Sequence, residues 1–82
     1  MNKRVKFREL RKFLEGLGFQ YTRQSDCVVF QHGASDTVQF LRLYRANEFV
    51  NPTDLARVQI TLDYRGFVDR DEFEQALLAV KA

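Results

Sequence analysis

The 82-residue chain has one Cys, one His, one Pro and four Gly, and no apolar run of about 18 residues that could span a bilayer. A single cysteine, Cys27, excludes an intramolecular disulfide framework and any multi-Cys zinc finger, so packing alone must hold the core. There is no Gly-rich phosphate loop, metal-ligand cluster or serine elbow, and no cofactor is expected. The opening MNKRVKFREL has charges with no apolar stretch behind them, which reads as a cytoplasmic protein without a secretory leader or a membrane partner.

A 45% hydrophobic and 13% aromatic composition without low-complexity tracts excludes a disordered chain. One domain over residues 1–82 is expected, because so short a chain cannot bury two cores. Its eight Phe residues are the means of offsetting a small core. Self-association is left open by the sequence.

Charge is divided unevenly. Residues 1–12 hold Lys3, Arg4, Lys6, Arg8, Arg11 and Lys12 against Glu9, whereas residues 63–74 are net acidic. The basic end suits a polyanion, although ordinary solvated helix faces would show the same letters.

Phe7, Leu10, Leu14 and Leu17 recur at spacings of 3, 4 and 3, one stripe of an amphipathic helix from about Lys3 to Leu17 that ends at Gly16 and Gly18. Away from that stripe, Arg4, Arg8, Arg11 and Glu15 form a ridge with Lys12 beside it. From Phe19 the period becomes two. Strands are expected around Phe19–Arg23, Cys27–Phe30 and Thr37–Tyr44, joined at Ser25-Asp26 and Gly33–Asp36 into a meander of order 1-2-3.

Asn51-Pro52 pairs an N-cap residue with Pro at the first helical position. The residues after it read both ways: Val58, Ile60, Leu62 and Tyr64 alternate as a strand would, while Leu55, Val58 and Leu62 make a helical stripe closed by Gly66. Asp69 and Glu72 form a capping box before a last helix carrying Phe73, Ala76, Leu77 and Val80. The predicted core is Phe7, Leu10, Leu14, Leu17, Phe30, Leu55, Leu62 and Phe73.

Gly66 to Phe73 matches the second half of a calcium loop, but Thr61 and Arg65 stand where acidic or oxygen ligands are needed, so no metal site follows. Cys27 and His32 are the one possible nucleophile and base pair, and five residues apart on a strand they face opposite ways. Arg23, Arg42, Tyr21 and Tyr44 add cations and aromatic rings of the kind that contact RNA.

The order helix, three-stranded meander, helix, with Phe7-Arg8-Glu9-Leu10 leading to Gly18-Phe19, Val29-Phe30-Gln31-His32, and Asn51-Pro52 to Leu62, resembles the HicA (YcfA-like) toxin family over nearly the whole chain. The resemblance implies an α+β, double-stranded-RNA-binding-like fold of order α-β-β-β-α(-α), with helices on one face of the sheet. It favours helix over strand for residues 52–65. It also implies RNA binding, a HicB-like antitoxin partner, and messenger RNA cleavage by a histidine in a G-S-H turn. That turn aligns with Ser25-Asp26-Cys27, so Cys27 stands at the histidine's place and the chain is read as a residual or inactive mRNA interferase. The RNA-binding residues expected are Arg4, Arg8, Arg11, Lys12, Arg23, Arg42 and Tyr44. The alternative is a non-catalytic protein-interaction domain.

Overall fold

In the computed structural model, residues 4–81 are described, with side chains through Leu77. The order is α1 (Phe7–Gly16), β1 (Gln20–Arg23), β2 (Cys27–His32), a 3-10 turn (Gly33–Ser35), β3 (Thr37–Arg42), α2 (Pro52–Tyr64) and α3 (Arg70–Lys81). This is the expected α+β order, and the sheet is antiparallel with order β1-β2-β3. Among the described residues, no helix is long and apolar enough to cross a membrane.

Register assigns the two sheet faces. Val28 pairs with Leu41, Phe30 with Gln39 and with Tyr21, and His32 with Thr37. These side chains share the face toward the helices, where Val28, Phe30, Leu41, Thr37 and Gln39 are buried. The other face carries Val29, Gln31, Val38, Phe40 and Arg42. There Val38 is 40% exposed and Phe40 58%.

The helices pack onto the inner face through the stripes read from the sequence. Phe7, Leu10 and Leu14 from α1, Leu55, Val58 and Leu62 from α2, and Phe73 and Leu77 from α3 join Phe30 in one buried cluster. Leu17, expected in the core, only packs against it from a half-buried position, because α1 has already ended at Gly16. Val80 has no described side chain.

The start of α1 differs from the expectation. Lys3 lies outside the described residues, but Arg4 and Val5 are not helical, and Lys6 is extended at φ −76° and ψ 148°. Lys6 makes a β-bridge to Phe49, and the Val50 N–H donates to the Val5 carbonyl at 2.7 Å. Glu9 then closes the first turn by accepting the Lys6 N–H at 2.8 Å. A tertiary strand contact therefore displaces the first turn, and Arg4 leaves the ridge that its spacing suggested.

The other caps follow the sequence. Asn51 Oδ1 accepts the Thr53 N–H at 2.8 Å to begin α2. Asp69 and Glu72 exchange reciprocal bonds of 2.8 and 3.0 Å to begin α3, and Gly66 takes φ +79° between the two. After α1, Gly18 sits at φ +101°, and a Cβ there would lie 3.2 Å from His32 Nε2. Gly16, by contrast, has no neighbour within 4 Å of where its Cβ would be.

These two glycines give a paired prediction. Gly18→Ala loses at least about 1–2 kcal/mol, from a positive φ that L-residues avoid together with the close imidazole. Gly16→Ala is neutral or gains up to about 1 kcal/mol, because Ala favours the helix. Urea denaturation of the two variants checks the contrast. Equal stability would place the chain reversal elsewhere.

Candidate nucleic-acid interface

Three segments bring cations to one cleft. Arg8 and Arg11 come from α1, Arg23 ends β1, and Arg45 follows β3, around a cavity of about 160 Å³ also lined by Phe7, Tyr21, Tyr44 and Ala46. Among the described residues, no carboxylate lines it. Phe7 and Tyr44 are buried beneath, their rings stacked at 5.5 Å and 13°. The four arginines are exposed.

The loop after β3 builds the wall of this cleft. Ala46 and Glu48 carbonyls accept the Arg8 and Phe7 N–H groups at 3.0 and 2.8 Å. The free donors of α1's first turn are thereby used within the protein, so any anion in the cleft must be held by side chains rather than by the helix terminus. Tyr44 anchors the loop: its hydroxyl donates to Asp54 Oδ2 at 2.5 Å and accepts the Asn51 N–H at 3.0 Å. Burial, and then the bond to the Asp54 carboxylate, push the Tyr44 hydroxyl above the ordinary tyrosine pKa.

Of the predicted RNA-binding residues, Arg8, Arg11, Arg23 and Tyr44 meet in the cleft. Arg4 and Arg42 line a neighbouring hollow with Phe49, Val50, Asn51 and Pro52. The Arg4 guanidinium lies 4.4 Å from the centre of the Phe49 ring. Lys12 is exposed on α1 and lines neither hollow. Arg45 was missed by the sequence reading. It follows the strand pattern directly, in the polar stretch Arg45-Ala46-Asn47-Glu48, and neither strand nor helix periodicity singles it out.

Arginine positions are fixed locally. The Arg11 guanidinium stacks 4.0 Å from the Tyr21 ring centre and pairs with Glu15 at 3.3 Å. Arg42 stacks 4.0 Å from the Tyr44 ring centre and pairs with Glu48 at 2.9 Å. Such pairs contribute modestly to stability but restrict the long side chains.

Cys27 and His32 do not meet. They occupy the two ends of β2, about 17 Å apart at the usual rise, and alternation sends them to opposite faces. The Cys27 thiol lies 3.6 Å from Gln24 Oε1. Desolvation, followed by the charge of Asp26 and a hydrogen bond with it, raises its pKa. His32 is held between Phe19 and Phe67 at 5.3 and 4.9 Å. Its Nδ1 accepts the Ser35 N–H at 3.2 Å and lies 2.8 Å from Ser35 Oγ. Among the described residues, no group of His, Cys, Asp and Glu could hold a metal ion.

No protein-family model, curated protein or solved structure matches this chain.

Glu48 offers a test of how the loop is held. Its carboxylate accepts the Arg45 N–H at 3.1 Å as well as the Arg42 guanidinium, and these bonds lower its pKa. A lowered folded-state pKa contributes stability above the unfolded value of about 4.3 that is lost as pH falls through the folded value. NMR titration should find Glu48 below the ordinary glutamate range, and Glu48→Gln should remove its part of the acid limb. An ordinary Glu48 midpoint would mean that the loop is not held by this carboxylate.

Proposed function

We propose that this chain is a HicA-like RNA-binding module of a toxin-antitoxin type, a residual or inactive mRNA interferase that acts in the cytoplasm and is matched to a HicB-like antitoxin. The observation that carries the reading is the convergence of Arg8, Arg11, Arg23 and Arg45 from separate segments on one cleft that no carboxylate among the described residues lines. Phosphates are bound by such clusters through charge and bidentate hydrogen bonds.

The geometry favours a single strand over a duplex. A duplex-binding surface of this fold class draws on cations at the start of α2, but α2 begins Asn51-Pro52-Thr53-Asp54 and its acid is bonded to Tyr44. Against cleavage, the half-buried Cys27 thiol has its pKa raised and has no imidazole at hand.

Titration with single-stranded RNA at low salt is the test. Replacing Arg8, Arg11 and Arg23 together with Ala should weaken binding for all sequences alike and flatten the log-log salt slope by about 0.7, the value for one phosphate contact of a single strand. Messenger RNA incubated with the wild type should remain intact, and Cys27→His should restore cutting if the residual site is otherwise complete. No binding by the wild type would sink the reading. Cutting abolished by Cys27→Ala would make the thiol the replacement for the family histidine.

A second reading, a protein-interaction domain, is favoured by β3. Among the described residues, β2 alone bonds its backbone, so one edge is open, and Val38 and Phe40 are exposed beside it. A second copy paired antiparallel about Gln39 sets Val38 opposite Phe40 and Asp36 opposite Arg42, matching apolar with apolar and acid with base. Such an edge buries less than the roughly 1,600 Å² of a standard interface, so the dimer should be weak, with a Kd in the micromolar range or above. Sedimentation velocity should show a concentration-dependent dimer that Phe40→Lys abolishes. A monomer at every concentration would remove this reading.

A further inference from the structure

We infer that the cleft of Arg8, Arg11, Arg23 and Arg45 is a seat for one phosphate group, not for a nucleobase; the inference rests on the RNA reading and names the ligand chemistry of that same site. Size is the first argument. At about 160 Å³ the cavity falls below the roughly 300 Å³ at which small-molecule pockets begin, too small for a whole nucleoside.

Ring access is the second. Base recognition by aromatic side chains needs an open face, yet Arg11 covers Tyr21 and Arg42 covers Tyr44, each at 4.0 Å from the ring centre. Tyr44 is in addition buried and stacked on Phe7. A base could stack on the ring faces these guanidinium groups cover only by displacing them, whereas a phosphate needs no open ring face.

Charge is the third. Arg8, Arg11, Arg23 and Arg45 all line the cavity, no acid among the described residues lines it, and Glu15, which pairs with Arg11, is not one of its lining residues. Each guanidinium presents a planar fork that matches two oxygens of a phosphate. With α1's first N–H groups bonded to Ala46 and Glu48, these side chains supply the recognition. The phosphate can be a terminal monoester or an internal diester of the strand, and the experiment separates the two.

The test uses the full chain with uridine, uridine 5′-monophosphate, and a uridine decamer bearing either a 5′-hydroxyl or a 5′-phosphate, followed by amide NMR at low salt. The monophosphate should shift the Tyr21, Arg23 and Ala46 amides and uridine should not. The double variant Arg8→Ala with Arg23→Ala, both exposed positions, should lower monophosphate affinity at least tenfold with a thermal melt no lower than that of the wild type. Lys12→Ala, outside the cleft, should change it less than twofold. A tenfold preference for the 5′-phosphorylated decamer identifies a terminal seat. Equal decamer affinities that both fall in the double variant identify a backbone seat. If uridine shifts the cleft as the monophosphate does, or the decamers bind without shifting it, the seat is overturned while the RNA reading stands. If the monophosphate shifts the cleft but neither decamer binds, the seat stands and the RNA reading falls.

Discussion

The docking of the loop after β3 onto the N-terminus of α1 decides where the first helix begins and which arginines share a cleft. Two carbonyls of the loop, from Ala46 and Glu48, take the first N–H groups of the helix, and the Val50 N–H bonds to Val5 in front of it. Tyr44 packs flat on Phe7 below these bonds. Helix termini carry unpaired donors that must be satisfied somewhere, and here the solution is tertiary. The same contact begins α1 at Phe7, draws Arg4 toward Phe49, and brings Arg45 beside Arg8.

That arrangement explains why the basic end of the chain is tolerated. Cations in the first turn of a helix oppose its macrodipole by about 0.3–1 kcal/mol each, but the dipole's exposed donors are already bonded to carbonyls. Arg11 gains a ring and a carboxylate within reach, Tyr21 and Glu15, at modest energetic return. Arg8, Arg23 and Arg45 line one cavity, and no acid among the described residues lines it with them. Like charges held together in this way raise the self-energy of the folded state, and an anion would relieve it.

How far the sequence could be read depends on whether a feature was local. The 3-4-3 stripe placed Phe7, Leu10 and Leu14 in the core, and the cap letters of Asn51, Gly66, Asp69 and Glu72 fixed the later helices, because each acts within one turn. Residues 52–64 were ambiguous by period. Packing resolves them: Leu55, Val58 and Leu62 are buried, while Ile60 and Tyr64, which a strand would have placed alongside Val58 and Leu62, are exposed. The start of α1 was misread because the ridge Arg4-Arg8-Arg11 continued the helical spacing, and the carbonyls that end it lie some forty residues on. Arg45 was missed for the same reason. Its place in the cleft comes from the loop's docking, and no periodicity marks it.

The single imidazole shows how structural and chemical uses compete in so small a chain. The Ser35 N–H can only donate, so His32 Nδ1 accepts, and the neutral ring carries its proton on Nε2, over Gly18. Ser35 Oγ, 2.8 Å from both Nδ1 and Thr37 Oγ1, extends the bonding into the start of β3. The bond at Nδ1 shapes the β2–β3 turn, and Phe19 and Phe67 hold the ring in that position. His32 is thus committed to joining the sheet to the connection between α2 and α3. Cys27, at the far end of the same strand and on its other face, stands apart from it, so neither side chain assists the other in proton transfer.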